Sequence, residues 1–154
     1  MKVFKQCGNL LFSMDSIALV KDQFEQDNFA KILGVVLDEL TAKTVKMHLV
    51  LDPKMNNLFG RPHGGAIYGL ADAAFSVIGN NDDNLSVALE CSINYHSSPE
   101  PGSVLHVEGK LVASSRRIGT YLFNLYTLDA GEKKPIATMK STLYRTGKKI
   151  SDLE

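Results

Sequence analysis

The chain has 154 residues, 44% of them apolar and 22% charged, so it is long enough for one domain with a real core and too apolar to be disordered. Its formal net charge is zero and it lacks a basic stripe with interleaved aromatic residues, so we expect no nucleic-acid partner. Cys7 and Cys91 lie far apart without metal-ligand spacing, which predicts neither a disulfide framework nor a metal site.

The N-terminal apolar run is too short and too interrupted for a secretory signal. The longest nearly uncharged stretch, from Pro62 to Asn81, is rich in glycine and carries an aspartate, so it does not read as a membrane span. We therefore expect a cytoplasmic protein with no membrane partner.

The first half of the chain predicts helices and one strand. A first helix is expected from a cap at Ser13 or Asp15 to about Gln26, followed by a short turn over residues 29–33. Residues 41–51 alternate apolar and polar with period two, which predicts a half-buried strand. A loop over residues 54–62 then leads to a helix over residues 66–79, which is apolar nearly all round and is therefore expected to be buried on all sides.

The second half of the chain predicts hairpin-linked strands. Their expected ranges are residues 85–95, 104–114, 119–128 and 135–145, with a hairpin turn at residues 129–132. The predicted fold class is α+β, a single domain over residues 1–154 in which a curved antiparallel sheet wraps around the buried helix. Because such a sheet leaves an edge strand open, we expect at least a dimer.

Asp72 is the one charged residue between Arg61 and Asp82, in the middle of the apolar helix. Burial of a carboxylate without partners costs free energy and raises its pKa, which is the state that a general base or nucleophile needs. The alternative is a structural acid that a backbone donor or an arginine across an interface satisfies. From position alone the two interpretations are equally supported.

Residues at the start of the helix favour catalysis. Gly64 and Gly65 stand where backbone N–H groups lack intrahelical partners and the helix dipole is positive, so a substrate carbonyl can approach them closely. Asn57 can add a side-chain amide donor. His63 either catalyses or orients the loop by hydrogen bonding to the backbone. One acid, one oxyanion pocket and a dry cavity suit acyl transfer to water.

The segment NNLFGRPHGGAIYGLADAAF, residues 56–75, resembles the hotdog-fold thioesterases of the phenylacetic-acid-degradation (PaaI) type. The resemblance is strongest at the histidine–glycine–glycine, at the aspartate, and at the asparagine six residues before the histidine. It implies a hotdog fold, homodimers that often pair into homotetramers, and active sites at the dimer interface. Asp72 of one subunit then acts as base or nucleophile on an acyl-CoA thioester, while Gly64 N–H and Asn57 of the other hold the carbonyl oxygen and position water.

Further substrate contacts are expected around this segment. Gly65, Tyr68 and Phe75 are candidates to line the substrate site, and Arg116 and Arg117 are candidates to meet the phosphates of coenzyme A or else form a solvated turn. Ala88 stands where some relatives carry a water-holding serine. No cofactor is expected beyond coenzyme A as part of the substrate.

Three functions remain in competition. The first is an acyl-CoA thioesterase acting on a small aryl or medium-chain acyl group. The second is an acyl-thioester hydratase or dehydratase of the same fold, which the order of Asn57, His63 and Asp72 disfavours because the acid does not precede the histidine. The third is a non-catalytic acyl-CoA-binding protein.

Overall fold

The computed structural model describes residues 16–152. Helix α1 covers residues 16–24, α2 covers Asn28–Leu33 and α3 covers Gly64–Gly79; short 3-10 turns lie at Pro53–Met55 and Ile150–Asp152. The strands are β1 (Val36–Leu40), β2 (Thr44–Val50), β3 (Asn84–Tyr95), β4 (Val104–Ser114), β5 (Ile118–Asp129) and β6 (Glu132–Lys149).

The strands form one antiparallel sheet in the order β1-β2-β4-β5-β6-β3. β5 and β6 are joined by a two-residue turn in which Ala130 and Gly131 both have positive φ, the conformation that matches the twist of a tight hairpin. The hairpin predicted at residues 129–132 is therefore confirmed, and the predicted α+β arrangement with one antiparallel sheet is confirmed with it.

The core lies between the inner face of the sheet and α3. The apolar residues that alternate along β2, Val45, Met47 and Leu49, are fully buried, as the period-two pattern predicts. Phe75 of α3 packs edge-on against the rings of Tyr121 and Phe123 on β5. These contacts fix how α3 is rotated against the sheet.

Two expectations about helices need correction. The first concerns helix ends. Helix α1 stops at residue 24, because a turn precedes Asp27, whose carboxylate caps α2 by accepting from Ala30 N at 2.9 Å. Helix α3 starts at Gly64, two residues earlier than predicted. The proposed caps Ser13 and Asp15 lie outside the described residues.

The expectation that α3 is buried on all sides is also wrong for this single chain. Gly65 and Ser76 are exposed, and Tyr68 and Asp72 are half-buried, so a stripe spaced by three to four residues along the helix stays open. The sheet leaves this stripe, which carries the Asp72 carboxylate, uncovered.

The two edge strands are β1 and β3. β3 pairs with β6 along one side, and no described strand pairs with its other side. Val87 and Leu89 on β3 are 47% and 58% exposed. Among residues 16–152 no helix is long and apolar enough to cross a membrane.

Candidate active site

The carboxylate of Asp72 has no hydrogen-bond or ion-pair partner among residues 16–152. Partial burial raises its pKa, and the negative charge of Asp27 raises the pKa further. Among these described residues, therefore, neither a backbone donor nor an arginine satisfies this acid. A partly desolvated and unpaired carboxylate is suited to accept a proton or to attack a carbonyl carbon.

Asp72 opens into a cleft between α3 and the edge strand β3. Ser86, Val87 and Ala88 supply the β3 wall, Phe75, Ser76 and Asn80 supply the helix wall, and Leu143 of β6 completes the lining. Asn80 ties the two walls together, because its Nδ2 donates to Ser76 O at 2.8 Å and its Oδ1 accepts from Ser86 N at 2.8 Å. The carboxylate thus faces a cleft at the sheet edge whose two walls are joined through Asn80.

The N-terminus of α3 forms a second polar feature. His63 is the N-cap, and its Nδ1 accepts from Gly65 N at 2.8 Å. The carbonyl of His63 accepts from Ala66 N and Ile67 N, whereas Gly64 N–H has no hydrogen-bond partner among the described residues. The positive end of the helix dipole and one free donor therefore meet at Gly64.

The loop before α3 is held by side chains. The Oδ1 of Asn57 accepts from Phe59 N at 2.8 Å and Arg61 N at 3.2 Å, which leaves its Nδ2 as the outward donor. The guanidinium of Arg61 makes a two-pronged pair with the Glu100 carboxylate, with both N–O distances at 2.7 Å, and holds the pKa of Glu100 below its usual value. This pair anchors the loop to the turn before β4.

Gly64 and Asp72 are far apart within one chain. Eight helical residues at about 1.5 Å each separate them by roughly 12 Å along α3. The side chain of Asp72 leans towards the helix N-terminus, which shortens this separation only in part. One thioester carbonyl cannot contact both groups of a single chain.

Tyr68 lies one turn before Asp72 on the open stripe. Burial, a hydrogen bond with Cys91 and the nearby charge of Asp72 raise the pKa of Tyr68 to about 12. The phenol therefore stays protonated at neutral pH and can donate a hydrogen bond. Cys91 is a half-buried free thiol.

Arg116 and Arg117 lie away from Asp72, in a groove that they share with Arg145, Asn84 and residues 146–147. Arg117 donates to the Tyr144 hydroxyl at 3.0 Å, and Arg145 donates to Ser115 O at 3.0 Å. Three guanidinium groups line this groove on a chain of zero net charge, and that of Arg145 also lies 3.9 Å from the Asp82 carboxylate.

The predicted residues therefore fall into three groups. Asp72, Phe75 and Ala88 line the cleft, Asn57, His63, Gly64 and Gly65 surround the helix start, and Arg116 and Arg117 line the basic groove. The sequence reasoning did not single out Ser76, although it lies four residues after Asp72 and therefore on the same side of the helix. Ser86 also lines the cleft, two residues before Ala88. No group of three potential metal ligands occurs within residues 16–152.

The chain is similar to known proteins in sequence and in structure. Residues 59–134 match the thioesterase superfamily. The chain is 32% identical over 127 residues to a putative esterase from Archaeoglobus fulgidus, covering 82% of this chain and 80% of that one. It is 23% identical to the acyl-coenzyme A thioesterase PaaI of Escherichia coli over 83% of this chain and 89% of that one.

The solved structures show the same fold. The E. coli PaaI protein from the phenylacetic acid degradation operon superposes with a TM-score of 0.83 at 22% identity, covering 90% of this chain and 98% of that one. A hypothetical thioesterase from Streptococcus pneumoniae, solved with coenzyme A, superposes with a TM-score of 0.74 at 20% identity, covering 83% and 98%.

The fold is thus the hotdog fold, with a curved antiparallel sheet around one long helix. The chain belongs to the thioesterase superfamily. The resemblance predicted from residues 56–75 is confirmed, and so is the enzyme class, a thioester hydrolase.

Proposed function

We propose that this protein hydrolyses the thioester of an acyl-CoA to a free acid and coenzyme A. The observation that carries the proposal is the unpaired, half-buried carboxylate of Asp72 on a cleft, in a chain of the thioesterase superfamily. The E. coli relative named as an acyl-coenzyme A thioesterase and the S. pneumoniae structure with coenzyme A support the choice of thioester.

The active site in this proposal is built from two chains. Because Gly64 and Asp72 of one helix lie too far apart for one carbonyl, Asp72 of one subunit works with Gly64 and Asn57 of its partner. The unpaired side of β3 and its exposed Val87 and Leu89 support association through this edge, beside the cleft that holds Asp72. We infer a homodimer with two equivalent sites, which can pair further into a tetramer.

The chemistry uses groups that the chain itself supplies. The thioester oxygen accepts hydrogen bonds from Gly64 N–H and the Asn57 amide, which stabilise the negative charge that develops in the transition state. Asp72 either removes a proton from the attacking water or attacks the carbonyl carbon to form a mixed anhydride that water then cleaves. In both routes the C–S bond breaks, the thiolate of coenzyme A leaves and takes up a proton, and no further cofactor enters.

His63 has a positioning role in this proposal. Its Nδ1 is occupied by Gly65 N–H, so the neutral ring carries its proton on Nε2 and serves as the helix cap. Gly65 thereby contributes to the shape of the helix start, while Gly64 offers the free donor.

An apolar pocket next to the cleft is the proposed site of the acyl group. It lies between α1 and the C-terminal half of α3 and shares Ser76 and Asn80 with the cleft. Its volume is about 200 Å³, and an apolar cavity of about 150 Å³ holds a benzene ring, so a small aryl or medium-chain acyl group fits. The apolar lining consists of Val20, Phe24, Val77, Leu85 and Ile150.

The basic groove of Arg116, Arg117 and Arg145 is the proposed site for the phosphates of coenzyme A. Arginine suits this role because its planar fork makes charge-assisted, paired hydrogen bonds to phosphate oxygens. Tyr68 then lies on the open stripe between the helix start and Asp72, where its protonated hydroxyl can contact the substrate.

The test is release of free thiol from a panel of acyl-CoA thioesters that spans acetyl, hexanoyl, decanoyl, benzoyl and phenylacetyl groups. We expect turnover on at least one hexanoyl or aryl thioester and loss of turnover by orders of magnitude in Asp72→Asn, with the assembly unchanged in sedimentation. Tight binding of every thioester without thiol release would instead indicate a binding protein. Hydration of an enoyl-CoA without thiol release would indicate the hydratase alternative.

A further inference from the structure

Tyr95, the last residue of β3, reaches the start of α3. Its hydroxyl donates to Gly64 O at 3.0 Å. The ring also covers Gly64, because a Cβ on that glycine would lie 3.4 Å from the ring carbon Cζ. A residue of the edge strand therefore contacts the peptide next to the free Gly64 N–H.

The Gly64–Gly65 peptide is consequently held at both ends. Its carbonyl accepts from Tyr95, and its N–H donates to His63 Nδ1 at 2.8 Å. Glycine restricts φ and ψ less than any other residue, so the hydrogen bonds of the first helical turn hold two adjacent glycines less firmly than other residues, and the two side chains add to that restraint. Rotation of this peptide changes ψ of Gly64 and φ of Gly65. The Gly64 N–H belongs to the preceding peptide, whose His63 carbonyl accepts from Ala66 N and Ile67 N. The Gly64 Cα is therefore held between two anchored peptides, which keeps its N–H in place.

We infer that Tyr95 is a positioning residue for the oxyanion site, and that Tyr95 and His63 together fix the peptide that follows Gly64 and thereby hold in place the residue that carries the free N–H. The inference rests on the proposed function, in which Gly64 N–H stabilises the transition state. A donor that is fixed before the substrate arrives stabilises the developing charge without reorganising, whereas small misplacement of a reacting group lowers the rate strongly. Burial raises the pKa of Tyr95, so its hydroxyl keeps the proton that it donates.

The first experiment compares Tyr95→Phe with the wild type on the best acyl-CoA of the panel. Phe keeps the ring and removes the hydrogen bond. We expect kcat to fall about tenfold while KM changes by less than about twofold, because the lost interaction acts in the transition state. The dissociation constant of an S-alkyl coenzyme A thioether, which has no carbonyl oxygen, should stay unchanged.

A matched control is Tyr126→Phe. This variant also loses one hydrogen bond of a tyrosine hydroxyl, the 3.0 Å bond that Tyr126 donates to Glu108. That bond lies on the face of the sheet opposite α3. We expect its kcat to equal that of the wild type, and thermal unfolding of both variants shows whether stability explains any difference. A Tyr95→Phe enzyme with the kcat of Tyr126→Phe, or with a changed KM in place of kcat, overturns the inference.

A second experiment addresses the other end of the peptide. Asparagine at an N-cap accepts from the same backbone N–H position, so His63→Asn should retain most of kcat and His63→Ala should not. Loss of activity in both would show that imidazole chemistry is required and would overturn the paired role. Failure of the inference is distinguishable from failure of the proposed function, because the latter appears as an active Asp72→Asn enzyme.

Discussion

Two inactive variants of this protein should restore activity when their subunits are mixed. The first is Asp72→Asn, which removes the proposed base. The second is Asn57→Asp, which keeps the Oδ acceptor for Phe59 N and Arg61 N but removes the amide donor. Each homodimer then carries the same defect in both of its sites.

The amount of activity that should return on mixing follows from the distance between Gly64 and Asp72 along α3. If Asp72 of one chain works with Asn57 of the other, a mixed dimer contains one site with both defects and one site with neither. Random mixing at equal concentration makes half of the dimers mixed, so we expect about one quarter of the wild-type specific activity. If all groups came from one chain, every site would keep a defect and no activity would return.

The assay is thiol release after subunit exchange, or after co-expression of the two variants with different affinity tags and purification through both. The doubly purified mixed dimer should reach about half of the wild-type activity, because one of its two sites is intact. A control mixture of Asp72→Asn with the double variant Asp72→Asn/Asn57→Asp contains no intact base and should stay inactive. A mixed dimer as inactive as this control would refute the two-chain site.

Four further outcomes are expected. Because burial raises the pKa of Asp72, the protonated carboxyl stabilises the folded state at acid pH, and this stability is lost as pH rises through the raised pKa. In thermal unfolding at pH 7, Asp72→Asn should therefore melt at a higher temperature than the wild type. The difference should be smaller below about pH 4. The acid limb of kcat/KM should move to lower pH in Asp27→Asn, which removes a charge that raises this pKa but keeps an amide oxygen for the helix cap. Leu85→Trp should lower kcat/KM for phenylacetyl-CoA more than for acetyl-CoA, in paired rate measurements, because it fills the apolar pocket. Arg116→Gln combined with Arg117→Gln should raise KM, weaken its dependence on salt and leave kcat nearly unchanged in assays over a range of ionic strength.

The fold could be predicted because its sequence signals are local and agree with one another. The alternation along β2, the hairpin at residues 129–132 and the apolar run of α3 each specify one element. The start of α3 was missed by two residues because glycine has low helix propensity, whereas the His63 cap sets the true start. Strand ends differed by a few residues where pairing extends beyond the apolar pattern, as in β6.

The candidate site could be predicted only in part. Asp72 was conspicuous because a lone charge in an apolar helix is costly, and that reasoning needs no knowledge of the fold. The Tyr95 contact with Gly64 and the Arg61 pair with Glu100 depend on strands that return to the helix start after about thirty to forty residues, and no local pattern encodes such a contact. The burial of each face of α3 also could not be read from composition, because the width of the sheet decides it.

The arrangement of α3 has a consequence for regulation by assembly. In the two-chain site each helix serves both sites: its N-terminus supplies the oxyanion donor to one, and its middle supplies the carboxylate to the other, about 12 Å away. A monomer then holds a base and a donor that cannot act on the same carbonyl. Activity should therefore disappear together with the dimer on dilution, measured as specific activity against protein concentration beside sedimentation. A monomer with full specific activity would contradict the separation on which the proposed site rests.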